Sequence, residues 1–255
     1  MVTHLCAWSQ VVPTDAETEL DAITDDVLSI VGDKRFAVRA GMDHVHFTAA
    51  LSTNLVSARL NSPSLEMRRT RAYVIPQVSD AIKFPLSPYA VCKPPVPLTL
   101  AVGEHLSGLG TASANVRIYM LASLGPATLP PVPAGERIVV RCTSNTPLRP
   151  NEWTTCNLTP DVSLAVGTYT LIGMLPISAN AIAARAIVLG QVNRPGVPAL
   201  AGTEAAVKKC DPLWLTAVQQ YPMGSFPHTD LPQVQFLSSA ADTSEVVYLY
   251  LVKTA

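Results

Sequence analysis

The segments "VPLTLAVGEHLSGLGTASANVRIYML", residues 96–121, and "LPQVQFLSSAADTSEVVYLYL", residues 231–251, share one pattern. Each contains a strand-like run, a polar turn region and a second run in which aromatic and aliphatic side chains alternate. Such alternation is typical of β-strands, because successive side chains point to opposite faces of a sheet. The segments lie about 130 residues apart in a chain of 255 residues. They therefore predict two β modules of about 120 residues, each ending in a similar pair of strands.

A shorter repeat competes with this division. "LAVG" occurs at residues 100–103 and again at 164–167, and "SAN" occurs at 113–115 and again at 178–180. The spacing of 64 to 65 residues is too short for a whole eight-stranded sandwich. We therefore base the domain division on the longer-range similarity.

The composition supports a β-rich fold and argues against general nucleic-acid binding. Hydrophobic residues make up 48% of the chain and charged residues only 15%, and there are 22 prolines. This balance is typical of short strands joined by stiff loops. The net charge is −1, and the longest basic cluster, Arg68, Arg69 and Arg71, is expected to be a solvated face. We identify no specific nucleic-acid motif.

The first 32 residues predict an amphipathic helix. Thr14 and Glu17 have the spacing of a capping box, and Gly32 can end the helix. The apolar residues between them recur at helical spacing, and acidic residues occupy the other face. The apolar stripe is Leu20, Ile23, Val27 and Val31, and the acidic face is Glu19, Asp21, Asp25 and Asp26. We expect this helix to lie between subunits, with its acidic face near Arg68, Arg69 and Arg71 of a neighbour.

Beyond Gly32 the apolar period changes to two, and strand-like runs recur at regular spacing as far as "EVVYLYLV". This indicates an all-β sandwich or barrel rather than βαβ units. The stretch "GPATLPPVPAGE" at residues 125–136 is rich in proline and glycine, as linkers are. The predicted organisation is a helical segment at 1–32, a first β-sandwich at 33–125, a linker at 126–135 and a second β-sandwich at 136–255.

Few residues point to chemistry. His44 and His46 lie two apart on a predicted strand, a spacing that resembles the first metal motif of cupins, but the glutamate and later histidine of that motif are missing. The five cysteines form no CxxC pair, and no nucleophile or phosphate-binding motif occurs. We therefore expect no catalytic, cofactor-binding or metal-binding residues and no enzyme activity. A groove that gathered Tyr89, Trp153, Trp214 and Tyr221 would instead favour a binding module.

Three stretches resemble a known family: residues 167–200, residues 230–253 and "RAGMDHVHFTAALS" at 39–52. They are similar to the jelly-roll major capsid proteins of tailless icosahedral bacterial viruses, including minimal double jelly rolls. The resemblance implies two jelly-roll modules side by side, with a single jelly roll plus an N-terminal extension as the alternative.

The same resemblance implies a structural coat protein that is made in the host cytoplasm and self-assembles, as trimers, into an icosahedral shell of the virion. Its partners would be copies of itself and other virion proteins, with an internal membrane or the packaged genome as further candidates. Two other functions stay open. One is a β-sandwich that binds a glycan or a virion component, and the less favoured one is a cupin-like metal protein.

Overall fold

The computed structural model describes residues 2–67, 74–76, 89–92, 94, 96–204 and 221–254. Almost all regular structure in this part of the chain is β-strand, and its one α-helix, α1, is the short turn Pro63–Met67. The chain divides into two compact units. The first, the N-terminal module, lies between Leu5 and Ala127. The second, the C-terminal module, begins at Thr128 and includes the first residues of the chain up to His4.

The N-terminal module is a pair of antiparallel sheets. One has the order β1-β11-β5-β8, with β9 also paired to β5, and the other has the order β3-β4-β10-β6-β7, with β2 also paired to β10. The strands are β1 His4–Val12, β2 Thr18–Glu19, β3 Ile30–Val31, β4 Arg35–Ala37, β5 His44–Leu51, β6 Leu55–Asn61, β7 Val74–Pro76, β8 Tyr89–Cys92, β9 Leu98–Thr99, β10 His105–Ala112 and β11 Val116–Gly125.

The C-terminal module is also a pair of sheets. One has the order β14-β12-β21-β15-β18, with β19 also paired to β15, and the other has the order β13-β20-β16-β17. The strands are β12 Glu136–Ser144, β13 Trp153–Cys156, β14 Thr159–Pro160, β15 Thr168–Ser178, β16 Ala181–Ile187, β17 Gly196–Pro198, β18 Leu200–Ala201, β19 Gly224–Pro227, β20 Gln233–Ser238 and β21 Glu245–Lys253.

Both modules have jelly-roll topology. In each one, the first strand pairs with the last, and the last then pairs with a strand from the middle of the module: β1-β11-β5 and β12-β21-β15. The next-to-last strand lies inside the other sheet, in the orders β4-β10-β6-β7 and β13-β20-β16-β17. This interleaving of early and late strands is that of two Greek keys folded into a jelly roll. The all-β, two-module fold is confirmed, and the single jelly roll with an N-terminal extension is not what the chain forms.

The two sequence repeats have different structural meanings. The longer-range pair of segments contains β10 and β11 in one module and β20 and β21 in the other, which are the equivalent last two strands. The "LAVG" copies are not equivalent. The first precedes β10, the next-to-last strand of its module, whereas the second precedes β15, a middle strand. The first copy supplies a turn, where Gly103 has a φ of 90°. The 64 to 65-residue spacing is therefore not a structural unit.

The predicted N-terminal helix is wrong, because residues 14–31 are short strands and turns of the N-terminal module. The backbone amide of Leu20 donates to the Gly108 carbonyl at 2.9 Å, and that of Ile23 donates to the Ala7 carbonyl at 2.9 Å. Asp25 Oδ1 accepts hydrogen bonds from the backbone amides of Val27 and Leu28, a local turn that competes with helix formation. Pairing with neighbouring strands outweighs the helical spacing of the apolar residues.

The acidic face of the predicted helix also has other partners. Glu19 pairs with Arg35 at 2.7 Å and Asp21 pairs with Lys34 at 3.7 Å, both inside the N-terminal module. The predicted partners Arg68, Arg69 and Arg71 lie outside the described residues. Leu20 and Ile23 are buried in the module's own interior, so these two residues of the stripe are not available as a subunit contact.

Each module has its own apolar core between its two sheets. In the N-terminal module, Trp8 meets Phe36 edge-on with ring centroids 5.0 Å apart. In the C-terminal module, Tyr169 stacks on Phe226 at 6.2 Å. No helix in the described part of the chain has the length and apolar character needed to cross a bilayer.

Candidate functional site

The two histidines singled out in the sequence lie on β5, but the strand is irregular between them. Val45 pairs with Leu124 and Phe47 pairs with Ser123, so His46 is the extra residue of a β-bulge. His46 is buried, and its Nε2 lies 2.9 Å from the carbonyl oxygen of Pro126. His44 is half-buried, with Nδ1 3.4 Å from Asp43 Oδ1. The regular alternation that would place both rings on one face is therefore interrupted.

The described residues bring together no group of three or more His, Cys, Asp or Glu side chains that could hold a metal ion. Of the cysteines, Cys6, Cys142 and Cys156 are buried and form no disulfide. Burial, reinforced by the charge of Asp161, raises the pKa of Cys142 to about 12, and burial also raises the pKa of Cys156. Both thiols are therefore protonated at neutral pH and are poor nucleophiles.

A surface groove of about 520 Å³, called here the Trp153 groove, lies in the C-terminal module, where a smaller cleft also occurs. It runs between the loop after β12, residues 146–149, and residues 152–155 at β13. The backbone amide of Arg149 donates to Thr154 Oγ1 at 3.0 Å and holds the loop against the strand. The second cleft, of about 360 Å³, is lined by residues 157–158, 187, 189 and 229–233.

Behind Trp153 lies a buried guanidinium. Arg185 on β16 is 1% exposed, and its guanidinium carbon lies 4.2 Å from the centre of the Trp153 ring. Arg185 Nε donates to Gln235 Oε1 at 2.6 Å, and Gln235 Nε2 donates to Thr155 Oγ1 at 3.2 Å. One row of side chains across β16, β20 and β13 thus holds the indole in place. One face of the ring is covered by Arg185 and is not free to stack on a ligand.

Of the four aromatic residues of the predicted binding site, the two whose side chains are described occupy different places. Trp153 lines its groove, whereas Tyr221 is buried in the core of the C-terminal module. Trp214 and the side chain of Tyr89 lie outside the described part of the structure. A multi-aromatic platform is therefore not what the described residues provide.

A second polar cluster involves β12, β21 and Glu204. Arg141 Nε and Nη2 donate to Glu204 Oε1 and Oε2 at 2.6 and 2.8 Å, a bidentate pair. Tyr248, which faces Arg141 across the two strands, donates its hydroxyl to Glu204 Oε1. This hydrogen bond raises the pKa of Tyr248 above its ordinary value, with burial adding to the effect. The carboxylate of Glu204 is therefore held by Arg141 and Tyr248 together.

Sequence reasoning missed the two charged residues that are buried most completely in the described part of the chain, Arg185 and Glu245. A signal for each is present in the sequence. Arg185 interrupts the apolar run "AIAARAIVL", and Glu245 opens the apolar run "EVVYLYLV". A charge inside a run predicted to be a buried strand needs a partner or a shifted pKa.

Comparison with known proteins gives limited information. No family model matches the sequence, and no curated protein does. Among solved structures, the chain is similar to the major capsid protein P2 of bacteriophage PM2, with 10% identity, a TM-score of 0.24 and coverage of 99% of this chain and 98% of that one. It is also similar to a Paenibacillus xanthan lyase, with 14% identity, a TM-score of 0.20 and coverage of 96% and 25%. Similarity at this level identifies neither a family nor an activity for this chain.

Proposed function

We propose that the chain is a structural coat protein of a virion, which assembles with copies of itself into a shell. The observation that carries the proposal is the occurrence of two successive jelly rolls with the same strand order in one chain of 255 residues. Jelly rolls recur in viral capsids, lectins and cupins. Repeating one module twice suits a lattice, in which similar modules must pack against one another many times. The trimer is the building block that the family resemblance implies.

Surface composition supports this proposal. The chain has a net charge of −1 and only 15% charged residues, so electrostatic repulsion between copies is weak. Leu189 and Val192, in the loop between β16 and β17, are 79% and 65% exposed. Covering such side chains in a contact between copies contributes about 25 cal/mol per Å² of apolar surface. Association of copies therefore meets little electrostatic repulsion and is favoured by the burial of apolar surface.

The proposed role is not catalytic. Catalysis at neutral pH needs a nucleophile or a base held within hydrogen-bonding reach of its partner. In the described residues the buried thiols are protonated, the two histidines are separated by a bulge, and the carboxylate of Glu204 is bound to Arg141 and Tyr248. In the proposed role we assign these groups to packing.

Native mass spectrometry and negative-stain electron microscopy of the purified full chain test the proposal. We expect trimers, three times the 27.1 kDa chain, and shells or lattice fragments at higher concentration. The double variant Leu189→Asp/Val192→Asp should reduce assembly, whereas Ser163→Asp adds a charge at an exposed polar position and should not. A chain that stays monomeric at tens of micromolar and forms no lattice under any salt condition contradicts the proposal.

The Trp153 groove favours a second candidate, a sandwich that binds a glycan. The groove combines one indole with the polar side chains of Arg149, Glu152 and Thr155, the mixture that sugar sites use. A glycan array probed with the wild-type chain and with Trp153→Ala tests it, and Trp153→Phe is the matched control that keeps a ring. Binding lost only in Trp153→Ala supports this candidate, and no binding by the wild-type chain removes it.

A further inference from the structure

One end of the C-terminal module contains a buried carboxyl group that no residue in the described part of the chain neutralises. Glu245 is the first residue of β21 and is 1% exposed. Within the described part of the chain, neither of its carboxyl oxygens has a partner in hydrogen-bonding geometry. It faces Ser144 across the β12–β21 pairing. Leaving an ionised carboxylate in such a position is costly, so the neutral acid is the form that fits the closed module.

A second carboxyl group, three residues earlier, has the opposite environment. Asp242 lies in the loop between β20 and β21, residues 239–244. Its Oδ2 accepts hydrogen bonds from Ser178 Oγ at 2.5 Å and from the Asn180 amide at 3.3 Å. Its backbone carbonyl accepts from the Leu148 amide at 2.8 Å. Asp242 therefore connects three loops, those after β12, β15 and β20, and it does so as an anion.

We propose that the Glu245 carboxyl is a pH-dependent switch on loop 239–244: the neutral acid keeps this end of the C-terminal module closed, and ionisation opens it. The opening moves Glu245 to water and breaks the contacts of Asp242 with Leu148, Ser178 and Asn180. No covalent step is involved, and the only ligand exchanged is one proton.

The pKa values of the two groups agree with this geometry. Burial raises the pKa of Glu245 from 4.5 to about 7, the charge of Asp242 adds to the increase, and backbone amides oppose it only in part. Burial also acts to raise the pKa of Asp242, but the hydrogen bond from Ser178 and those from backbone amides outweigh it and lower that pKa. At pH 6 the carboxyl of Glu245 is therefore mostly neutral, and the carboxyl of Asp242 is an anion.

Among the described residues, the titratable groups that face Glu245 come from two elements. Asp242 comes from its own loop, and the thiol of Cys156 comes from β13, where the Glu245 charge raises the pKa of that thiol. Ser144 and Thr146 supply hydroxyls at the end of β12 but bond to each other at 3.1 Å. These neighbours offer no cation, and the one anion, Asp242, disfavours a second negative charge.

The sign of the pH effect follows from the raised pKa. The free energy that favours the closed state is largest below pH 4.5, where Glu245 is neutral whether the loop is open or closed. This stabilisation of the closed state is lost as the pH rises through 7. Because each pH unit corresponds to a factor of ten, the opening constant can increase about 300-fold in all. About 70-fold of this increase falls between pH 5 and pH 8.

Amide hydrogen exchange of the full chain, resolved by NMR, measures this opening. The reporters are the amides of Leu148, Asn180 and Ser239, which bond within these loops. We expect the ratio of wild-type to Glu245→Gln exchange rates to rise about 70-fold from pH 5 to pH 8, because intrinsic exchange cancels in the ratio. Glu152→Gln, which removes an exposed carboxyl four residues after the reporter Leu148, should behave like the wild type.

Two results overturn the proposal. If the ratio of exchange rates at the three reporter amides does not change with pH, Glu245 does not control the loop. If the ratio rises equally at core amides such as that of Leu249, the opening is not local. Should Glu245→Gln not fold, a carbon-13 titration of the carboxyl groups of the wild-type chain decides. A Glu245 midpoint near 7 supports the switch, and one near 4.5 excludes it.

Discussion

Truncation of Leu20 distinguishes an N-terminal segment that belongs to the module core from a segment held between subunits. Leu20 is completely buried in the N-terminal module, and its backbone is fixed by the hydrogen bond to Gly108. An added Cβ on Gly110 would lie 3.5 Å from Leu20 Cδ2, so the side chain is packed against β10. Buried Leu→Ala substitutions cost about 2–5 kcal/mol, and this tight site should lose about 3 kcal/mol.

Val31 is the matched control for Leu20. Both residues belong to the same apolar stripe in the helical prediction, but Val31 is 41% exposed in the structure. We therefore expect Val31→Ala to change the free energy of unfolding by less than about 0.5 kcal/mol. Urea denaturation followed by the fluorescence of Trp8, with Trp153 and Trp214 replaced by Phe, reports on the N-terminal module alone. Trp8 is suited to this because its ring lies in the core of that module.

The contrast between the two variants is the decisive measurement. The reasoning is refuted if Leu20→Ala costs less than about 1 kcal/mol, or if both variants leave unfolding unchanged and instead weaken oligomers to the same degree. The second outcome would make the stripe a subunit contact, and in either case the burial of Leu20 in the module core would not describe the chain in solution.

Three further predictions concern single interactions. Arg185→Ala should lower the free energy of unfolding by about 2–4 kcal/mol in urea denaturation, because it leaves a cavity and an unpaired Gln235 oxygen. Gly135→Ala should also lower the melting temperature in thermal denaturation. Gly135 has a φ of 155°, and an added Cβ would overlap the carbonyl oxygen of Lys253 on β21. Glu204→Ala should lower the pKa of Tyr248 toward 10 in an ultraviolet titration, because it removes the largest cause of the increase. An unchanged Tyr248 titration would contradict the hydrogen bond between the two side chains.

Much of the fold could be predicted from the sequence, since strand periodicity is a local property. The alternation in residues 245–252 is preserved in β21, where the inward side chains Val247, Leu249 and Leu251 are buried. The helix error has an equally physical origin. Spacing alone does not tell whether Leu20 and Ile23 are buried by a helix or by two separate backbone contacts, with Gly108 and Ala7. Only the long-range pairing decides, and it is not a property of the segment.

The candidate sites were less predictable, because they depend on irregularities and on residues distant in sequence. The bulge at His46 arises in the pairing with β11, about 80 residues away, so nothing near the histidines indicates it. The Arg185 row requires that β16, β20 and β13 be neighbours, which follows from the jelly-roll order rather than from any motif. Glu245 could have been flagged as a charge at the start of an apolar strand. Its isolation becomes visible only when burial and the loop of Asp242 are known.

The two modules share a topology but differ in where they bury charge. Among the described residues, the fully buried Arg185 and Glu245 both belong to the C-terminal module. Burying Arg185 is offset by Gln235 and by the ring of Trp153, whereas burying Glu245 is offset mainly by protonation and only in part by backbone amides. The two modules therefore share the jelly-roll strand order, and in our proposal Glu245 gives the C-terminal module a response to pH. The two proposals are independent, since a chain that never assembled would still open loop 239–244 as Glu245 ionised.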